Sequence, residues 1–155
     1  MPLQCDIITQ ERTVFSGPVD SVNVPGTEGR MGILPNHSPL LTTLDFGEIV
    51  VRTGGIEEYF AIGGGFLEVQ PDHVTVLADS AERADEIDVE RAAAAMTDAE
   101  EIMRTGVKED PDRIAAVRAS LLKAQVRLDV GRRRRRTMAA GSGQGRREPD
   151  EPGQL

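Results

Sequence analysis

Tryptophan is absent, tyrosine and cysteine occur once each, and aromatic residues supply only 3 % of the 155-residue chain. Any core must therefore be aliphatic, built from valine, isoleucine, leucine and alanine. At this length the chain forms one ordinary domain or two small ones. The lone Cys5 excludes an internal disulfide and the common zinc patterns. It reads as a small buried thiol in a strand, in a protein kept in a reducing cytoplasmic compartment. No run approaches the ~20 apolar residues that span a bilayer. The opening segment MPLQCDIITQERT lacks the basic and apolar regions of a signal peptide. Contact with a membrane is expected only through a partner.

Signatures of catalysis are missing too. The chain has no Walker A pattern, and Gly26, Gly29 and Gly32 lead into Ile33-Leu34-Pro35, which cannot cradle phosphate at a helix start. His37 and His73 are the only histidines, and neither has ligand-like spacing to carboxylates. Ser38 beside His37 is a sequence neighbour, whereas a triad is defined by geometry in space. The isolated chain is not expected to be an enzyme, and no metal site is expected. Nor is nucleic acid a fitting partner. Residues 1–86 carry 4 basic and 14 acidic side chains, residues 87–131 carry 7 and 9, and residues 132–155 carry 7 and 3. Neutralising phosphates needs a basic face, and the body of this chain is acidic.

What is present first is a β pattern over residues 3–78. Leu3, Cys5 and Ile7 alternate with polar neighbours, as do Val22 and Val24. Val14-Phe15 runs into Ser16-Gly17-Pro18, read as a turn. The segment Gly26–Gly47 packs glycines and prolines around an apolar run. Pro35 and Pro39 bracket Asn36-His37-Ser38, which predicts a shaped loop and a docking surface. Leu40, Leu41 and Leu44 predict a buried strand ended by Gly47. Thr53-Gly54-Gly55 signals a hairpin turn, answered by Tyr59, Phe60 and Ile62. Gly63-Gly64-Gly65 is expected to break the chain before Phe66, Leu67 and Val69. Pro71-Asp72 then precedes Val74, Val76 and Leu77. Eight to ten short strands without intervening helices argue against a parallel sheet and for a β-sandwich or flattened barrel.

The period changes at Ala81. Asp88 fits an N-cap and Gly106 a C-terminal cap, with Val89, Ala92, Met96, Ala99 and Met103 forming one apolar stripe. Asp110-Pro111 opens a second helix, whose stripe is Ile114, Val117, Leu121, Ala124 and Leu128, with Gly131 as its expected end. Two matching stripes joined by a short polar link specify an antiparallel helical hairpin. Both stripes are diluted by alanine, so the hairpin needs a neighbour to hold it and is the candidate moving part. From Arg132 the composition shifts to RRRRR and then small, polar and proline residues, predicting a disordered tail over 132–155.

Two long motifs carry a family resemblance: VPGTEGRMGILPNHSPLLTTLDFGEI and GGGFLEVQPDHVTVLADSAERADEID. With the two helices that follow, residues 3–131 closely resemble the epsilon subunit of the bacterial F-type ATP synthase. The resemblance implies a ten-stranded β-sandwich over residues 1–84, a regulatory helical hairpin over 85–131, and then the tail. It implies a non-catalytic rotor part that binds the gamma subunit and sits on the proteolipid ring, passing rotation to the catalytic head. The implied location is peripheral, on the cytoplasmic face of the cell membrane. Arg30, Met31, Leu34, Pro35, Asn36, His37, Ser38 and Pro39 match the segment that faces the ring and gamma. The hairpin matches an element that can extend transiently into the alpha/beta head and block ATP hydrolysis.

Some members bind ATP in the folded form, and Glu82, Ile87, Asp88, Arg91, Ala92 and Arg127 match that motif. A guanidinium can pair with phosphate oxygens in bidentate fashion, and a carboxylate can accept from an adenine amine or ribose hydroxyl. Lys123 stands where ATP-binding members usually carry a second arginine, and Asp98 adds negative charge. No cofactor is required on this reading, and ATP is expected only as a weak regulatory ligand. Two readings from other classes are a stand-alone nucleotide sensor that closes on ATP and a generic β-sandwich adaptor for a basic protein.

Overall fold

The computed structural model describes residues 2–106 and 110–142, with side chains through residue 133. Eight strands come first: β1 Leu3–Ile8, β2 Thr13–Val19, β3 Ser21–Gly26, β4 Gly29–Ile33, β5 Leu40–Thr53, β6 Ile56–Gln70, β7 His73–Ala78 and β8 Ala81–Arg83. A 3₁₀ turn at Ala84–Glu86 leads into α1, Val89–Thr105, and α2, Pro111–Ser142.

Two long strands turn this set into a sandwich. β5 and β6 pair along their whole length, from Leu40↔Val69 to Thr53↔Ile56. The N-terminal part of β6 takes β8 on its other edge, from Phe60↔Arg83 to Ile62↔Ala81. Its C-terminal part takes β7 there, from Gly65↔Ala78 to Gln70↔His73. β5 pairs β3 from Ser21↔Arg52 to Gly26↔Leu44, mostly beyond its midpoint, and β3 pairs β4. β7 pairs β1 in parallel, and β1 pairs β2. One layer is thus β2-β1-β7 with one half of the long pair; the other is β4-β3 and β8 with the opposite half. The resemblance implied ten strands. Counting each half of β5 and β6 separately recovers that number, because each runs unbroken through both layers.

The crossing point explains the triple glycine. Gly64 and Gly65 have φ of 88° and 135°, a region closed to most side chains. A Cβ on Gly65 would lie 2.1 Å from the Leu77 carbonyl oxygen. Gly63-Gly64-Gly65 therefore bends β6 where its partner changes from β8 to β7, rather than breaking the chain. Three other local expectations also shift. Ser16-Gly17-Pro18 lies inside β2, at the sheet edge, where a proline's missing N–H is tolerated. β5 continues past Gly47 to Thr53, and Leu41 on it is 73 % exposed rather than buried. The Gly54-Gly55 turn forms as expected, with both φ positive.

The core is aliphatic, as the composition requires. Leu3, Cys5, Ile7, Val22, Val24, Ile33, Ile49, Val51, Leu67, Val74 and Val76 are fully buried between the layers. Phe60 is the largest side chain among them, meeting Phe15 edge-on at 5.7 Å between ring centroids.

The helices stand outside this core. Asp88 caps α1 by accepting from the Arg91 N–H at 3.1 Å, and Gly106 closes it through a bond to the Ile102 carbonyl. Asp110 accepts from the Asp112 N–H at the start of α2. Val89, Ala92 and Leu128 bury one another, with Met96 packed alongside. Gly131 does not end α2. The helix runs on to Ser142, so the first part of the expected tail, 132–142, is helical. Arginine, methionine and alanine are all strong helix formers, which accounts for the continuation. The remainder of that expected tail, 143–155, lies outside the described residues.

Candidate functional site

Two regions gather the residues singled out in the sequence. The first is the loop after β4. Asn36 adopts φ 66°, and its N–H donates to the Pro71 carbonyl at 2.8 Å. The loop is thereby tied to the β6–β7 turn at one end of the sandwich. His37 Nδ1 lies 2.8 Å from the Ser38 carbonyl, and the His37 N–H donates to the Leu34 carbonyl. The imidazole is held by its own loop. Leu34 is 61 % exposed at the tip; Arg30, Asn36, Ser38 and Pro39 are exposed around it, and Pro35 and His37 are half-buried. Met31 instead packs toward the core. Such a loop, rigid in backbone and apolar at its tip, suits contact with another protein.

The second region is the junction of hairpin and sandwich. Ala61, Ala84, Ile87 and Val130 form a small apolar cluster, joined by Tyr59 and Val126. A Cβ on Gly131 would come within 2.8 Å of the Val89 side chain and 3.2 Å of that of Ile87. Glycine lets α2 approach this closely. Beside the cluster, Arg127 grips Glu82 with two bonds of 2.6 and 3.2 Å. This pair lines a groove of about 520 Å³ that also takes in Arg12, Ser80 and Lys123. Arg12 forks onto Glu86 at 2.7 and 3.3 Å and holds its carboxyl below the ordinary range.

Of the six residues matched to nucleotide binding, Glu82 and Arg127 meet in this groove. Ile87 and Ala92 are buried beneath the hairpin, while Asp88 and Arg91 are exposed at the start of α1, outside the groove lining. Lys123 joins Arg127 on the groove wall, whereas Asp98 is not among its lining residues. Among the described residues, no group of acidic, histidine and cysteine side chains could hold a metal ion, and no helix is long and apolar enough to cross a membrane.

Sequence reasoning missed a second set of contacts on α2. Arg133 donates to the Glu48 carboxylate, and its guanidinium carbon lies 5.6 Å from the Tyr59 ring centroid. Burial pushes the Glu48 carboxyl up, against the opposing pull of Arg133 and Arg30. Glu57, held low by Arg52 and by the Tyr59 hydroxyl, continues the chain of charges. The stripe spacing continues one step past Leu128 to Gly131, the residue before the arginine run, but does not single out Arg133.

Residues 2–84 match the family model described as ATP synthase, Delta/Epsilon chain, beta-sandwich domain. The chain is 49 % identical over 135 residues to the ATP synthase epsilon chain of Herpetosiphon aurantiacus, covering 87 % of this chain and 98 % of that one. It is 52 % identical over 135 residues to the epsilon chain of Dehalococcoides mccartyi, covering 86 % and 95 %. Solved structures with the same fold include a chain in the OSCP/F1/c-ring of the Euglena gracilis mitochondrial ATP synthase. The TM-score there is 0.64 at 21 % identity, over 88 % of this chain and 81 % of that one. A chain in the central stalk/c-ring of the Tetrahymena thermophila mitochondrial enzyme gives 0.58 at 10 % identity, over 84 % and 97 %.

Proposed function

We propose a central-stalk role for this chain, which belongs to the family of ATP synthase epsilon chains. An epsilon chain is a structural subunit of the synthase rather than its catalytic part. In this role the sandwich binds the gamma subunit and rests on the proteolipid ring through the Arg30–Pro39 loop. It helps carry rotation to the alpha/beta head. The chain sits peripherally on the cytoplasmic face of the membrane, touches it only within the complex, and does not bind nucleic acid. The observation that carries this reading is that the match to epsilon chains spans sandwich and hairpin together, 135 residues at about half identity.

The two regions fit the two tasks. The loop is braced against the β6–β7 turn through Asn36 and Pro71, so load at its tip reaches a rigid sheet. The hairpin rests on a small, alanine-containing patch, far smaller than the core between the layers. A released hairpin is the part that restrains ATP hydrolysis in the head. Weak regulatory ATP belongs to the same reading. Its phosphates would take Arg127 from Glu82, with Lys123 as a point charge and Arg91 recruited from α1. An ATP-dependent change in hairpin hydrogen exchange that survives Arg91→Ala would remove Arg91 from that site.

The role is tested by pulling the tagged chain out of solubilised membranes of its own source. Hydrolysis is then compared with and without residues 87–155. Co-elution with the synthase and faster hydrolysis on truncation are the expected results. Co-elution without a change in rate would leave a coupling part with no brake, and failure to co-elute would sink the central-stalk role.

A further inference from the structure

The hairpin is seated by a matched pair of charge contacts. Ala61 pairs with Glu82 of β8 on one side and Glu48 of β5 on the other. Glu82, Ala61 and Glu48 therefore form one row across three strands, a carboxylate at each end and a small apolar residue between. Neighbouring strands lie about 4.8 Å apart, so the two carboxylate positions are roughly 10 Å apart. Above the row, α2 presents Arg127 to Glu82 and Arg133 to Glu48. Those arginines are six residues apart, about 9 Å along a helix axis. Val130, midway between them, is 1 % exposed in the cluster that contains Ala61. The spacing on the helix matches the spacing on the sheet to within about 1 Å.

From this match we propose that Glu82-Ala61-Glu48 and Arg127-Val130-Arg133 form a two-point latch that fixes α2 crosswise on the sandwich. The second point lies in the arginine run, which thereby has a structural task. Tyr59 strengthens it: its ring takes the Arg133 guanidinium, and it lies two residues from Ala61 along β6, on the same face. Glu48 has a side chain only 13 % exposed, so its contact is shielded from salt more than a surface pair would be. The latch belongs to the isolated chain and stands apart from the central-stalk role. Only its consequence, that it holds the hairpin back from the head, rests on that role.

Amide hydrogen exchange on the full-length chain tests the latch, using Arg133→Ala, Glu48→Gln and the charge-exchanged pair Glu48→Arg with Arg133→Glu. Each single variant should speed exchange in residues 111–133 by about fivefold, the loss expected for one half-buried pair with an aromatic contact. Exchange in β1, β6 and β7 should stay at the parent rate. The charge-exchanged pair should recover much of the lost protection. Helix exchange within about twofold of the parent in Arg133→Ala would overturn the latch. So would a charge-exchanged pair as fast as the singles, or equal loosening of the sandwich, which would make Arg133 a support of the whole fold.

Discussion

The sandwich and the hairpin are held by different physics. Between the layers, fully buried aliphatic side chains interlock around Phe60, and the described buried side-chain polar atoms all have hydrogen-bond partners. On the hairpin, the buried stripe positions are Val89, Ala92, Ala99, Ala124 and Leu128, with Met96, Met103, Ile114, Val117 and Leu121 half-exposed. Alanine offers little area, and transfer free energy scales with area. The hairpin is consequently placed by two arginine contacts, a small cluster and a glycine, while the sandwich rests chiefly on its buried core. One chain thus joins a platform held by a large core to an arm held by two small clusters.

Breaking the platform should have the largest effect. Gly65→Val forces a branched side chain into φ 135° and against the Leu77 carbonyl. It should cost more than about 3 kcal/mol, read as loss of the urea or thermal transition of the whole chain. Leu128→Ala attacks the arm instead. Its side chain is 6 % exposed, and the cost should be about 2 kcal/mol, confined to the hairpin. Helical circular dichroism should melt earlier while the sandwich transition stays in place; a single shifted transition would mean that arm and platform unfold as one.

Cys5 sharpens the contrast from inside the platform. Burial pushes its thiol from the ordinary value near 9.0 up to about 12, with Asp6 adding to the effect. The unfolded chain loses this proton above about pH 9, whereas the folded chain keeps it to about pH 12. Its contribution is therefore fully present below pH 9 and declines above it, by up to about 1.4 kcal/mol per pH unit. A thiol reagent should label Cys5 only as the sandwich opens, and Leu128→Ala should leave that rate unchanged. Faster labelling in Leu128→Ala would tie the arm to the core.

How far the sequence already told this story depends on how local each signal was. The hairpin turn at Gly54-Gly55, the cap at Asp88 and the start at Asp110-Pro111 were legible because a few adjacent residues decide them. The strand partners were not. Gly63-Gly64-Gly65 reads as a break until β7 and β8 are known to share one edge of β6 at that point. Gly131 reads as a helix end until Ile87 and Val89 are seen pressed against it. In both places a glycine serves close approach by a distant segment, and no local pattern distinguishes that from a stop. Glu82 and Arg127 could be named from a motif, but their direct pairing and the exclusion of Asp88 and Arg91 from the groove lining follow from three-dimensional packing.

The arm is expected to open while the platform stays closed. Native-state hydrogen exchange across the full chain, with increasing low concentrations of denaturant, measures this most directly. Amides of α1 and α2 should exchange through an opening with a small denaturant slope, well below the free energy at which β1, β6 and β7 exchange together. If helix and strand amides instead converge on one free energy and one slope from the outset, the hairpin is not a separable arm.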